Sequence, residues 1–351
     1  MDEENILKCV GNDDIMIIIY YMGVFSMDSN KPKSINSLMA HMRDSKNIQI
    51  GGSFQKRKLR VMGYFHGYKG YRYYNDPKNL LPFANFNELQ AVYDFDMKLK
   101  AVFYPQIMFL ETAIKNYTLE IILSEASSKR FAEIYSKLMT DYKSYKKDSK
   151  SFRNAMAKRM NVRNKVYGNI SKYYSKSNII KHYYDSDRPV PMWAVFEILS
   201  LGEFANFISC INQPTRKKIS NSVGIDANVD SSGRMVEDIV FTLKDLRNSI
   251  AHNNTVFDTR FKTGSVKKNI MNYISQKTNI ANIDFKTIVD YLILICFVQK
   301  LLKCNKSDIL AFIKQFEDIC ESFRKQVPMN IYSKIIYTDS RKKIKSLKTF
   351  L

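Results

Sequence analysis

An arginine and a histidine separated by four residues, Arg247 and His252, stand in the stretch LKDLRNSIAHNN. A guanidinium can neutralise charge that builds on phosphoryl oxygens. An imidazole, which ordinarily titrates near ~6.5, can accept or donate a proton at neutral pH. Asn248 precedes His252 by four residues, on the same side of a helix, where its amide can orient the ring. The spacing alone is weak. Four His and fifteen Arg in 351 residues, with three allowed spacings, give roughly 0.5 chance matches. Arg60 and His66 supply a second match. They straddle Gly63 and run into YFHGYKGYRYYND, whose glycines and Pro77 read as a loop, so nothing local fixes their relation.

Helical geometry separates the two pairs. Val236, Ile239, Val240, Leu243, Leu246 and Ile250 form one apolar stripe. At 100° per residue Arg247 falls within about 40° of that stripe, near the middle of the apolar face, where a guanidinium needs a partner, and His252 lies about 140° round from it. One straight helix therefore does not bring both to one phosphate. Either the helix ends at HNNT and His252 swings back, or a second subunit completes the site. A purely structural reading also stands: a buried arginine paired with a core acid, and a histidine near a helix C-terminus. Two acids are candidate partners for Arg247. Glu197 shares a face with Trp193, Leu201 and Phe204 when PMWAVFEILSLGEF is read as one helix from Pro191, which predicts that it is buried. Glu111 lies at the edge of the stripe Phe103, Ile107, Leu110, Ile114, Tyr117 and Ile121. Both read as clamps on the guanidinium rather than as proton-transfer groups.

The elements that must position these residues are helical. Gly 12 and Pro 8 are too few for many short strands joined by tight turns. Helices are expected over residues 35–43 behind Ser34, over 53–62, and along a long segment from Asn87 in which Pro105 predicts a kink or break. DYLILICFVQKLL reads as a buried helix, too short for a membrane span, and residues 308–327 as an amphipathic one followed by the basic tail RKKIKSLKTFL. Five scattered cysteines without a CxxC predict free thiols in a reducing cytoplasm and no zinc site. Residues 15–25, IMIIIYYMGVF, are too short to span a bilayer, and the acids before them have the wrong sign for a signal peptide. Residues 1–26 read as a leader or accessory segment. The rest divides into 27–85, 86–260 with a basic insertion at 129–181, and 261–351.

The net charge of +21, from 55 Lys and Arg against 34 Asp and Glu, points to a polyanionic partner, nucleic acid before membrane. The insertion holds 15 basic residues against 3 acids with six tyrosines interleaved, a mixture that suits phosphates and unpaired bases. Candidate RNA contacts there are Lys146, Lys147, Arg153, Lys158, Arg159, Arg163, Lys165 and Tyr167. Lys56, Arg57, Lys58 and Arg60 form a second cluster. A solvated helical hairpin is the alternative for the insertion.

Several segments in order carry a family resemblance: Lys31-Pro32, NELQAVYDFDMKLKAVFYPQIMFLETAIKN, PMWAVFEILSLGEFANF and LKDLRNSIAHNNTVF. Together they resemble the Abi abortive-infection family of AbiD and AbiF type, within the HEPN superfamily. Lys115 stands where an arginine is common, and the usual arginine soon after the histidine is missing. The resemblance implies an all-α HEPN-like bundle, dimerised so that two R-x4-H motifs face one cleft. It implies metal-independent RNA cleavage without a cofactor in phage defence or a toxin–antitoxin pair, and for AbiF-type members a small non-coding RNA partner. Arg247, His252 and Asn248 would be catalytic. The expected products are a 2′,3′-cyclic phosphate and a 5′-OH, with cellular or phage RNA as substrate and no membrane partner. Two other readings remain: a HEPN-like scaffold that holds RNA without cleaving it, and an interaction or membrane-surface module that uses residues 15–25 and the basic tail.

Overall fold

The computed structural model describes residues 32–226 and 228–351. Residues 1–26, Lys31 and Cys9 lie outside them. The fold is all-α, and the described residues hold no strand, only isolated bridges such as Gln49 with Asn85.

Ser34 caps α1 (Ile35–Ala40) by accepting from the Ser37 N–H, and α1 widens into a π-type turn, His41–Ser45. Helix α2 (Gly52–Met62) likewise runs into a wide turn, Gly63–Lys69, where a loop was expected. Gly67 permits that turn, because a Cβ there would stand 2.6 Å from the Met62 Cβ. The turn buries Tyr68 and leads directly to the buried Tyr71.

The longest element is α3 (Phe86–Ala126), 41 residues and about 60 Å. Asn85 caps it, and the Glu88 carboxylate accepts from the Ala84 N–H and the Asn85 amide. Its expected stripe is buried at Phe103, Ile107, Leu110 and Ile114 and passes to Thr118 and Ile122. Pro105 does not break it. Pro105 and Ala101, whose carbonyl loses its partner, are both exposed, so that carbonyl faces solvent.

After α3 come α4 (Phe131–Lys137), a 3₁₀ turn (Asp141–Ser144), α5 (Lys150–Tyr173), α6 (Asn178–Asp185), α7 (Met192–Ile198), α8 (Leu201–Cys210), α9 (Gln213–Ser222) and α10 (Met235–Ala251). The chain ends with α11 (Lys268–Thr278), α12 (Ile288–Leu301), α13 (Lys306–Arg324), α14 (Met329–Ile335) and α15 (Ser340–Phe350). Helices α9, α10, α12 and α13 pack along α3, and α8 packs on α10. Phe95 of α3 stacks on Phe323 of α13 with centroids 4.4 Å apart. As expected, α12 is buried on every side from Ile288 to Gln299. Cys210, Cys296 and Cys320 are buried free thiols.

Tertiary packing corrects one expectation and docks two basic segments. PMWAVFEILSLGEF is two helices, because Leu199 turns extended and Ser200 starts α8 with a reciprocal capping box to Glu203. The basic insertion is no solvated hairpin: α5 buries Val162, Val166 and Ile170 and packs against α7 and α8. The basic tail is docked as α15, where buried Lys343 bonds Asp290 of α12 at 2.9 Å and Lys348 bonds Glu317 of α13. Among the described residues no helix is long and apolar enough to cross a membrane.

Two measurements test this architecture. Ser200→Ala removes the α8 cap and should cost about 1 kcal/mol in urea unfolding. Asp238, in the first turn of α10, is pushed up from 3.8 to about 6, chiefly by burial and then by the Glu237 charge. Its folded form holds the proton more tightly than the unfolded chain. Its contribution is therefore full below pH ~3.8 and lost as pH rises through about 6. Asp238→Asn should raise the melting temperature at pH 8 and leave it unchanged near pH ~3.5.

Candidate active site

Helix α10 carries Arg247 and Asn248 and ends at Ala251, with His252 as its C-cap. His252 keeps a near-helical backbone, φ −94 and ψ 10, and its N–H still bonds the Asn248 carbonyl at 2.9 Å. The chain turns only at Asn253, where φ is +56. The helix thus ends at HNNT, as one alternative required, and the backbone keeps its helical phase as far as His252, so the Cα of His252 lies about 140° round the axis from that of Arg247. His252 is exposed, and among the described residues no hydrogen bond joins its ring to the Asn248 amide.

Arg247 is anchored from one side. Its Nε lies 3.6 Å from the Glu111 Oε2 of α3, and its side chain is 30% exposed, at the edge of the apolar face rather than its middle. Neither of these two atoms has a hydrogen-bond partner. Glu111 Oε1 accepts from Lys115 at 2.9 Å, and Lys115 also donates to the Leu199 carbonyl at 2.8 Å, at the break between α7 and α8. Glu111 thus sits between two cations, and the terminal guanidinium nitrogens make no hydrogen bond to a described residue. Glu197 does not partner Arg247. It is exposed, because the helical phase that placed it beside Leu201 and Phe204 is interrupted at Leu199.

The turn after His252 is pinned by a buried polar network that the sequence reading did not assign. Asp96 of α3 is fully buried. Its Oδ1 accepts from the Val256 and Phe257 N–H groups, and its Oδ2 accepts from the Tyr71 hydroxyl at 2.7 Å and pairs with Lys100 at 2.8 Å. Lys100 donates to the Asn253 Oδ1 at 2.8 Å. The Asn253 amide nitrogen meets the His66 Nε2 at 3.2 Å. Burial, reinforced by the Asp96 charge, raises the Tyr71 phenol, which stays a donor. Burial and then the Lys100 charge lower His66 from its ordinary value. A sequence signal for the pair existed. Carrying the Phe103–Ile107 stripe back by three and four residues lands on Lys100 and Asp96, two charges at core positions. His66 gave no such signal, because its contact depends on the wide turn at Gly63.

The candidate RNA residues divide by burial. Arg57 and Arg60 are exposed on α2, whereas Lys56 and Lys58 are half-buried, with Lys58 over the Phe54 ring. Lys146, Lys147, Arg153, Arg163, Lys165 and Tyr167 are exposed on α5 and the loop before it. Lys158 is half-buried near the Phe241 ring. Arg159 is half-buried: it donates to the Met139 and Tyr135 carbonyls and lies 3.7 Å from the Tyr135 ring centroid. A groove of about 720 Å³ runs between α5 and α8, lined by Lys158, Lys165, Asn164, Asn169, Asn206 and Leu199 among others. Leu199 links that groove to the Lys115–Glu111–Arg247 chain.

The family model Abi_2, described as Abi-like protein, matches residues 57–258, a span that holds Glu111, Leu199, Arg247 and His252. No curated protein and no solved structure matches the chain.

The pinned turn makes a strong demand on Asp96. Asp96→Ala leaves the Lys100 ammonium buried without its counter-charge and should lower unfolding free energy by about 3–5 kcal/mol. Asp96→Ala combined with Lys100→Met should recover part of that loss in the same urea titration.

Proposed function

The chain belongs to the Abi-like protein family, whose membership suggests abortive-infection phage defence, and we propose that within it the chain is a metal-independent RNA endonuclease. The observation that supports this best is Arg247. Its Nε faces Glu111 and its terminal nitrogens are uncommitted, near the end of a helix whose C-cap is the exposed His252. In this reading the RNA supplies its own nucleophile. An imidazole takes the 2′-OH proton as the 2′-oxygen bonds to phosphorus, and the P–O5′ bond breaks. A second imidazole, as imidazolium, delivers a proton to the leaving O5′. Arg247 stabilises the charge on the phosphoryl oxygens, and Asn248 orients the phosphate or the ring. The products are a 2′,3′-cyclic phosphate and a 5′-OH.

The 140° divergence of Arg247 and His252 favours a homodimer in which the motifs of two copies share one cleft. Met97 and Tyr104 add support, as exposed apolar side chains that share a face of α3 with Glu111 at seven-residue spacing. The exposed cations and Tyr167 of α5 suit a dedicated small non-coding RNA, with cellular or phage RNA as substrate, in a cytoplasmic ribonucleoprotein. That same surface supports a second reading, a HEPN-like scaffold that holds RNA without cleaving it.

Purified protein incubated with total RNA in EDTA separates the two. The native sequence should release 2′,3′-cyclic phosphate ends, and His252→Ala or Arg247→Ala should slow cleavage by about 10²–10³-fold. Equal cleavage by His252→Ala would sink the nuclease reading. Sequencing of co-purified RNA should return one dominant species; a random pool counts against a dedicated RNA partner.

A further inference from the structure

His66 reaches the candidate site from a segment that sequence spacing leaves unconnected to it. Its Nε2 lies 3.2 Å from the amide nitrogen of Asn253, the residue that follows His252 and makes the left-handed turn at the end of α10. The amide cannot exchange its two ends. Asn253 Oδ1 is held by Lys100 at 2.8 Å, and an ammonium only donates. The Lys100 protons are committed to Asp96 Oδ2, to Asn253 Oδ1, and to the Asn253 carbonyl and Tyr71 hydroxyl at 3.3 and 3.4 Å. The amide nitrogen therefore points at His66 and donates, so Nε2 must carry the lone pair.

The ring is held in that orientation. Tyr71 and Tyr93 meet it edge-on, with centroids 6.2 and 6.3 Å away. The backbone under it is the wide turn Gly63–Lys69, whose shape depends on the close approach of Gly67 to Met62. The titratable groups around the ring are Lys100, Asp96 and Tyr93 on α3 and Tyr71 on the segment after the turn. Lys100 and burial both oppose a proton on His66, and Asp96 alone favours one.

We propose that His66 is a positioning residue for His252, held as the neutral Nδ1–H tautomer so that its Nε2 accepts from Asn253 and fixes the turn that carries the imidazole. The catalytic consequence rests on the nuclease reading; the tautomer and its contact do not. A proton on Nε2 would set one N–H donor against another and release the turn. Acid that protonates Nε2 would thereby loosen the turn next to His252.

Two arms test this separately. With ¹⁵N-histidine labelling, the chain has only four imidazoles to resolve. His66 should give the neutral Nδ1–H pattern at pH ~7, and Asn253→Ala should abolish it in favour of a tautomer mixture. An Nε2–H tautomer at His66 in the native sequence overturns the proposal, whether or not the protein cleaves RNA. In the RNA cleavage assay, His66→Ala should lower kcat by about tenfold with KM unchanged. His66→Gln, whose amide oxygen can accept from Asn253, should restore most of the rate and remove the acid limb that His66 adds to the pH profile. Equal loss in both variants, or loss confined to KM, overturns the positioning role. Absence of any cleavage by the native sequence would sink the nuclease reading and leave the imidazole spectra to decide His66.

Discussion

The buried pair of Asp96 and Lys100 sets the geometry of everything around the end of α10. Two charges at 0% and 6% side-chain exposure are tolerated only because each is saturated. Asp96 takes two backbone N–H groups from Val256 and Phe257, the Tyr71 hydroxyl and the ammonium. Lys100 returns its remaining protons to Tyr71 and to Asn253. One ion pair thus joins the long helix α3, the aromatic segment before it and the turn after His252. A weaker partner set at any of the three would leave a buried charge exposed to the full desolvation penalty.

Farther along the same helix, Glu111 plays the corresponding part for Arg247. It is shared between Lys115 and the guanidinium, and Lys115 extends the connection to the Leu199 carbonyl. Three segments widely separated in sequence meet there: α3, the interrupted α7–α8 pair and α10. The guanidinium is held by its Nε edge alone, which leaves the end that can meet a phosphate uncommitted. His252 is placed by backbone rather than by a side-chain partner. Structure and chemistry divide the work in this way: α3 supplies the buried anchors, and α10 presents the groups that could act.

Much of this organisation was legible in local pattern. The stripes of α3 and α10, the all-round burial of α12 and the Ser34 cap follow from 3.6-residue periodicity and capping chemistry, which neighbours seldom override in long elements. The errors lay where one residue changed the phase. Leu199 and the Ser200 capping box cut one expected helix into two, and Glu197 consequently moved from the core to the surface. Gly67 allowed a wide turn where glycines had read as loop. Pro105 stayed inside α3 because its freed carbonyl faces outward. The anchoring of Arg159 to two carbonyls and a tyrosine ring was equally invisible in composition.

By itself the sequence determined that the fold is helical, that the surface is strongly basic, and that Arg247 and His252 diverge along their helix. Each of these depends on composition or on a repeat with a fixed angle per residue, so no distant contact is needed to read it. Only the tertiary structure decided which acid holds Arg247, that Asp96 and Lys100 pin the turn after His252, and that His66 meets Asn253 across 187 residues of chain. Those pairings join polar groups from segments far apart in the chain. A donor there accepts whichever acceptor the packing leaves within reach, and no periodicity along the chain records that choice.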